Sequence, residues 1–159
     1  MSLKITKVEI ETLPALRFIG KRCMCDPSDF VARWNEWLEN GWFDQLDELG
    51  VAPENGDVYL GMTSDSGSRY WIGLLFPPGT PVPDGFEYAD ILSSKYAIFG
   101  IAGKKEGELC SEDGAILCFE EMDKRGLIQN SDGQDFEQYS RLASDGKGKI
   151  LLECLFAVK

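Results

Sequence analysis

No histidine occurs among the 159 residues of this chain. That absence removes His-based catalytic triads and most catalytic zinc sites. It also removes the usual axial ligand of haem, so haem is not expected, although Cys or Met could still ligate one. Positive charge is scarce as well: 16 Lys and Arg stand against 27 Asp and Glu, for a net charge of −11. Nucleic acid and anionic membrane carry the same sign as the protein and are poor partners for it. The cysteines are Cys23, Cys25, Cys110, Cys118 and Cys154. Their odd number lacks a C-x-x-C pair, and no secretory leader is read, which points to reduced thiols in a cytoplasm. Cys23-x-Cys25 is a poor spacing for a metal, so no metal or cofactor is expected. The longest apolar runs, Trp71–Phe76 and Ile150–Val158, are far too short to span a bilayer.

What is present is an ordinary globular composition, 43% hydrophobic and 27% charged, and enough chain for one domain over residues 1–159. Ile5, Val8 and Ile10 alternate as in a strand, and Leu13-Pro14-Ala15 interrupts it before a second strand over Leu16–Cys23. Asp26-Pro27-Ser28-Asp29 carries helix-start chemistry. Phe30, Trp34, Trp37, Leu38, Trp42, Leu46 and Leu49 then recur at helical steps, with Gly41 as a break and Gly50 as a stop. Asp57–Thr63 and Arg69–Phe76 read as a hairpin around Ser64-Asp65-Ser66-Gly67-Ser68. Pro77, Pro78, Pro81 and Pro83 exclude helix and central strand, and make a rigid connection. A short extended segment follows at Phe86–Ile91. Then come a strand over Lys95–Ile101, a helix carrying Ala115, Cys118, Phe119 and Met122 up to Gly126, a strand over Asp135–Leu142 and a last strand over Lys149–Val158.

The order strand, helix, strand, strand occurs twice, at about residues 16–76 and 94–158. It predicts an α+β fold of two pseudo-symmetric modules sharing a largely antiparallel sheet. The helices would cover one face, and a ligand cleft would lie between the halves.

One charge is out of pattern. Glu153 sits inside the apolar strand Ile150–Val158, where a carboxylate loses hydration at a cost of several kcal/mol unless it is paired. Alternation gives it a face with Leu151, Leu155 and Ala157. It marks either a ligand site, a structural ion pair with Arg or Lys, or a solvent-facing position on a one-sided sheet.

Several ordered segments resemble the GyrI-like family, the effector-binding domain of bacterial multidrug-responsive regulators. They are Val8-Glu9-Ile10 through Leu13-Pro14-Ala15 to Ile19-Gly20, Tyr70-Trp71-Ile72-Gly73, and the proline-rich connection ending in Gly85-Phe86. Ser94-Lys95-Tyr96-Ala97-Ile98-Phe99 with Gly103, Phe136-Glu137-Gln138-Tyr139, and Leu152-Glu153 with Ala157-Val158-Lys159 complete the set. The resemblance implies a pocket between the two modules for hydrophobic, planar or cationic small molecules. In it an acidic residue of the last strand sits among strand aromatics, and Glu153 matches that position. The family's regulators carry a helix-turn-helix segment in front, of which this sequence shows none. Many relatives have a Trp late in the second helix, where this chain has Met122.

On that reading the ligand-binding residues are Glu153, Tyr70, Trp71, Tyr96 and Tyr139, with Trp37 or Trp42 capping the pocket. The helix aromatics Trp34, Trp37, Trp42 and Phe43 also fit plain core packing, and Glu137 reads as a cross-strand charge partner on an exposed face. A second reading, also implied by the resemblance, is a cofactor-independent hydrolase that opens strained electrophilic rings. Glu153 would activate water there, with Tyr139 or Tyr70 assisting. A third is a protein that modulates DNA gyrase.

Overall fold

A computed structural model of the chain describes residues 4–23, 30–55, 58–64, 69–103, 112–130, 133–144 and 150–159. The helix start at Asp26–Asp29 and the tip of the predicted hairpin, 65–68, lie outside the described residues. The rest follows the predicted order. Strands β1 (Lys4–Leu13) and β2 (Leu16–Cys23) precede helices α1 (Phe30–Glu39) and α2 (Trp42–Asp47). Strands β3 (Val58–Ser64), β4 (Arg69–Phe76), β5 (Glu87–Ile91) and β6 (Ser94–Gly103) come next, then helix α3 (Glu112–Arg125) and strands β7 (Asp135–Ser144) and β8 (Ile150–Val158).

The helical periodicity from Phe30 to Leu49 is divided by Gly41, whose φ of 64° is a left-handed conformation that a side chain resists. Beyond α2, a single 3-10 turn at Pro53–Asn55 returns the chain to the sheet. Buried Asn55 fastens it: its Oδ1 accepts from the Leu75 amide at 2.8 Å and its Nδ2 donates to the Val58 carbonyl at 3.3 Å.

The strands form one eight-stranded sheet in the order β1-β6-β8-β7-β3-β4-β2-β5, each neighbouring pair antiparallel. Each half carries one predicted module, β2-α1-α2-β3-β4 and β6-α3-β7-β8. The seam between them is the β3–β7 pairing, with Tyr59 opposite Tyr139 and Gly61 opposite Glu137. This is the pseudo-symmetric α+β arrangement that the sequence predicts. The helices lie on one face, as the alternation in β8 requires. Helices α1 and α2 pack over Ile19, Tyr70, Ile72, Leu74 and Phe76. Helix α3 packs through Cys118 and Met122 over Ala97, Phe99, Cys154, Phe156 and Val158.

The helix-free face holds a third core that includes Phe18, Leu60, Met62, Trp71, Tyr96, Phe136 and Leu155. Phe18 on β2 and Phe136 on β7 are three strands apart, yet their ring centroids are 6.3 Å apart. Three strand spacings in a flat sheet would separate the backbones by about 14 Å. The sheet therefore curls about this face and packs it against itself, an accentuation of ordinary strand twist.

Candidate functional site

At the seam the helix face presents β7 residues Glu137 and Tyr139 beside β3 residues Tyr59 and Gly61. Tyr70 of β4 lies opposite Thr63 and reaches diagonally across β3. Gly61 allows this: a Cβ there would lie 2.2 Å from Tyr70 Oη. The Tyr70 hydroxyl, thus delivered, donates to Glu137 Oε2 at 3.1 Å, and the Tyr139 hydroxyl donates to the same oxygen at 2.9 Å. From above, Trp34 of α1 donates its indole N–H to Tyr70 Oη at 3.1 Å. Trp34 also meets Tyr139 edge-on at 5.0 Å between centroids and stacks with Phe43 at 6.0 Å. Phe43 in turn stacks on Tyr59 at 4.0 Å. The result is one carboxylate held by two phenols within a group of five aromatic rings.

Burial raises the Glu137 carboxyl above its ordinary value, opposed by the hydrogen bonds from Tyr139 and Tyr70, which favour the ionised form. Among the described residues no Lys or Arg forms an ion pair with it. On its other side in the sheet lies Cys154, whose thiol is raised well above its usual range. The largest cause is its contact with the Cys118 thiol of α3, followed by burial; both cysteines are buried free thiols. A thiol held as Cys154 is makes a poor nucleophile.

The sequence-predicted site residues divide between the two faces. Tyr70 and Tyr139 join Glu137. Glu153 does not: it faces the other way, in the row Lys7, Gly100, Glu153, and its Oε1 accepts from Lys7 Nζ at 3.1 Å. Both side chains are about two-fifths exposed, at 42% and 39%, so the pair is a surface ion pair. This is the ion-pair alternative left open for Glu153. Trp71 and Tyr96 also lie on the helix-free side, in its buried core. Their polar atoms, Trp71 Nε1 and Tyr96 Oη, are buried with no hydrogen-bond partner among the described residues. Burial, helped by the charge of Asp135, pushes the Tyr96 hydroxyl up to about 12. Trp37 is buried in the α1–α2 core against Trp42, Phe43 and Phe86. Trp42 lies under the Lys21 ammonium at 4.1 Å. Trp37 meets the Glu137 group only at its edge, through Phe43 at 4.7 Å between centroids, and Trp42 only through Trp37.

Sequence reasoning missed Glu137, Trp34, Tyr59, Phe43 and Gly61 as members of one group. The signal for Glu137 was available: it is two residues from Tyr139 on one strand, so the two side chains share a face. Tyr70 and Trp71, being adjacent, cannot share one.

A partly buried acid among aromatics thus lies at the junction of two strand-helix-strand-strand modules. The sequence matches the family described as the GyrI-like small molecule binding domain over residues 6–159, and the chain belongs to that family. No curated protein sequence matches it. Among solved structures, SAV2435 bound to tetraphenylphosphonium superposes with a TM-score of 0.72 at 16% identity, covering 97% of this chain and 94% of that one. The EcmrR C-terminal domain gives 0.66 at 11% identity, covering 96% and 97%. A hydrolase from Listeria innocua gives 0.55 at 13% identity, covering 96% and 92%. At these identities the structural likeness establishes the fold alone. Among the described residues, no group of three or more acidic or cysteine side chains could hold a metal ion, and no helix is long and apolar enough to cross a membrane.

Proposed function

We propose that this chain binds a lipophilic organic cation on the helix face of the seam. Glu137 is its counter-charge, and Tyr70, Tyr139, Trp34, Tyr59 and Phe43 are its aromatic surround. The observation that carries the reading is the Glu137 carboxylate itself, partly buried, held in place by two phenols and lacking a cationic partner among the described residues. A charge so placed weakens the fold unless something positive arrives. A delocalised cation needs no hydrogen-bond acceptor and gains about 0.5–2 kcal/mol from each aromatic face it covers. The net charge of −11 draws cations toward the protein as a whole. The family description and the tetraphenylphosphonium bound to SAV2435 agree in kind with this reading. Glu153, already paired with Lys7, has no part in it.

The test is calorimetric titration with tetraphenylphosphonium and with triphenylphosphine oxide, a neutral compound with similar rings. The cation is expected to bind at least about tenfold more tightly, the ratio that one modest charge interaction supplies. Equal affinities, or no binding of either, refute the proposal.

A second reading rests on the same atoms. A carboxyl raised by burial and flanked by two phenols has the make-up of a general base with proton donors beside it. One relative by fold is described as a hydrolase. Turnover of a strained-ring electrophile that disappears in Glu137→Gln supports this reading, and recovery of the compound unchanged after long incubation removes it.

A further inference from the structure

We propose that the Glu137 site prefers cations that carry an N–H, such as protonated secondary and tertiary amines, over quaternary cations of the same shape. The inference rests on the binding reading above and specifies its ligand class. It follows from which oxygen the protein uses. Both phenols donate to Oε2, at 3.1 Å from Tyr70 and 2.9 Å from Tyr139. Oε1 accepts neither bond, and no other hydrogen bond or ion pair engages it among the described residues.

The donors around the carboxylate point inward. The Tyr70 and Tyr139 hydroxyl protons lie on Oε2, and the Trp34 indole N–H points to Tyr70 Oη. A ligand acceptor such as a carbonyl or a phosphate meets donors that are already engaged. A ligand donor meets a carboxylate oxygen that neither phenol engages, on a side chain only partly open to solvent. An ammonium N–H loses more hydration on entry than a quaternary nitrogen does, so it is favoured only where a strong acceptor replaces the water. Charge-assisted hydrogen bonds to a carboxylate are the stronger kind, and Oε1 offers one. Fixing Oε2 between two phenols also holds the carboxylate plane, so the bond forms without ordering a mobile side chain.

The experiment uses the full chain and a matched pair of probes, N,N-dimethyl-1-naphthylmethylammonium and N,N,N-trimethyl-1-naphthylmethylammonium. They are titrated calorimetrically near neutral pH, where the amine is protonated. Wild type is expected to bind the N–H cation about tenfold more tightly, the size of one net charge-assisted bond. In Glu137→Gln the preference is expected to fall to about twofold or less, because the amide oxygen accepts weakly and carries no charge. Equal affinities in wild type, or tighter binding of the trimethyl compound, overturn the inference while leaving the cation site in place. A preference that persists undiminished in Glu137→Gln overturns it too. If neither cation binds more tightly than neutral 1-methylnaphthalene, the parent reading fails instead.

Discussion

Replacing Glu137 by Gln separates the stability cost of this carboxylate from its use. Consider a bound cation whose charge centre lies about 5 Å from the carboxylate. At an effective dielectric near 20 the attraction is about 3 kcal/mol. Dehydration of the cation takes back part of this, so about 1.5–2 kcal/mol should survive, a loss of about ten- to thirtyfold in affinity for the Gln variant. Stability should move the other way. Burial raises the Glu137 carboxyl in the folded chain. The folded state therefore holds this proton more tightly than the unfolded chain does, and ionisation above the raised value costs stability. That cost is fully present near neutral pH if the raised value lies below it. It fades as pH falls through the folded-state value, and it is gone below the ordinary carboxylate range of about 4. The Gln variant should accordingly match or exceed wild type in Tm at about pH 8, with the gap closing toward about pH 4. Calorimetric titration with a lipophilic cation, alongside thermal melts across that range, reads both effects. Unchanged cation affinity refutes the binding argument. A Gln variant destabilised more at high pH than at low pH refutes the electrostatic one.

Gly61→Ala puts a Cβ 2.2 Å from Tyr70 Oη and 2.8 Å from its Cζ. It should cost about 1–3 kcal/mol by overpacking, and it should weaken cation binding because Tyr70 no longer reaches Glu137; urea unfolding and titration test both. Glu153→Gln breaks only the exposed pair with Lys7. It should change stability by less than about 1 kcal/mol and leave cation affinity within about twofold, as measured by the same two assays. Trp37→Ala empties a buried position packed against Trp42, Phe43 and Phe86. A loss of about 3–5 kcal/mol is expected in chemical denaturation.

The fold was readable because its signals are local. Alternation in β1 and β8, the stops at Gly41 and Gly126, and the prolines of the connection each speak for their own segment. The site was less readable because it depends on register between distant strands. Glu137 faces Gly61 across the seam, and Tyr70 joins them from a third strand. No spacing in the sequence reports that a glycine on β3 clears the way for a tyrosine on β4. Glu153 drew attention as a charge in an apolar strand, but its strand continues into a row where Lys7 crosses Gly100 to meet it. In the structure that charge has a partner, the Lys7 ammonium. Strand alternation applied to Tyr139 places Glu137 on its face.

A crystal structure with a bound lipophilic cation tests the account most directly. The account predicts the ligand on the helix face at the β3–β7 seam, its charge centre within about 6 Å of the Glu137 carboxylate, the range over which an opposite charge acts strongly. A ligand seated on the opposite face, beside Glu153 and Tyr96 with Glu137 untouched, would contradict it.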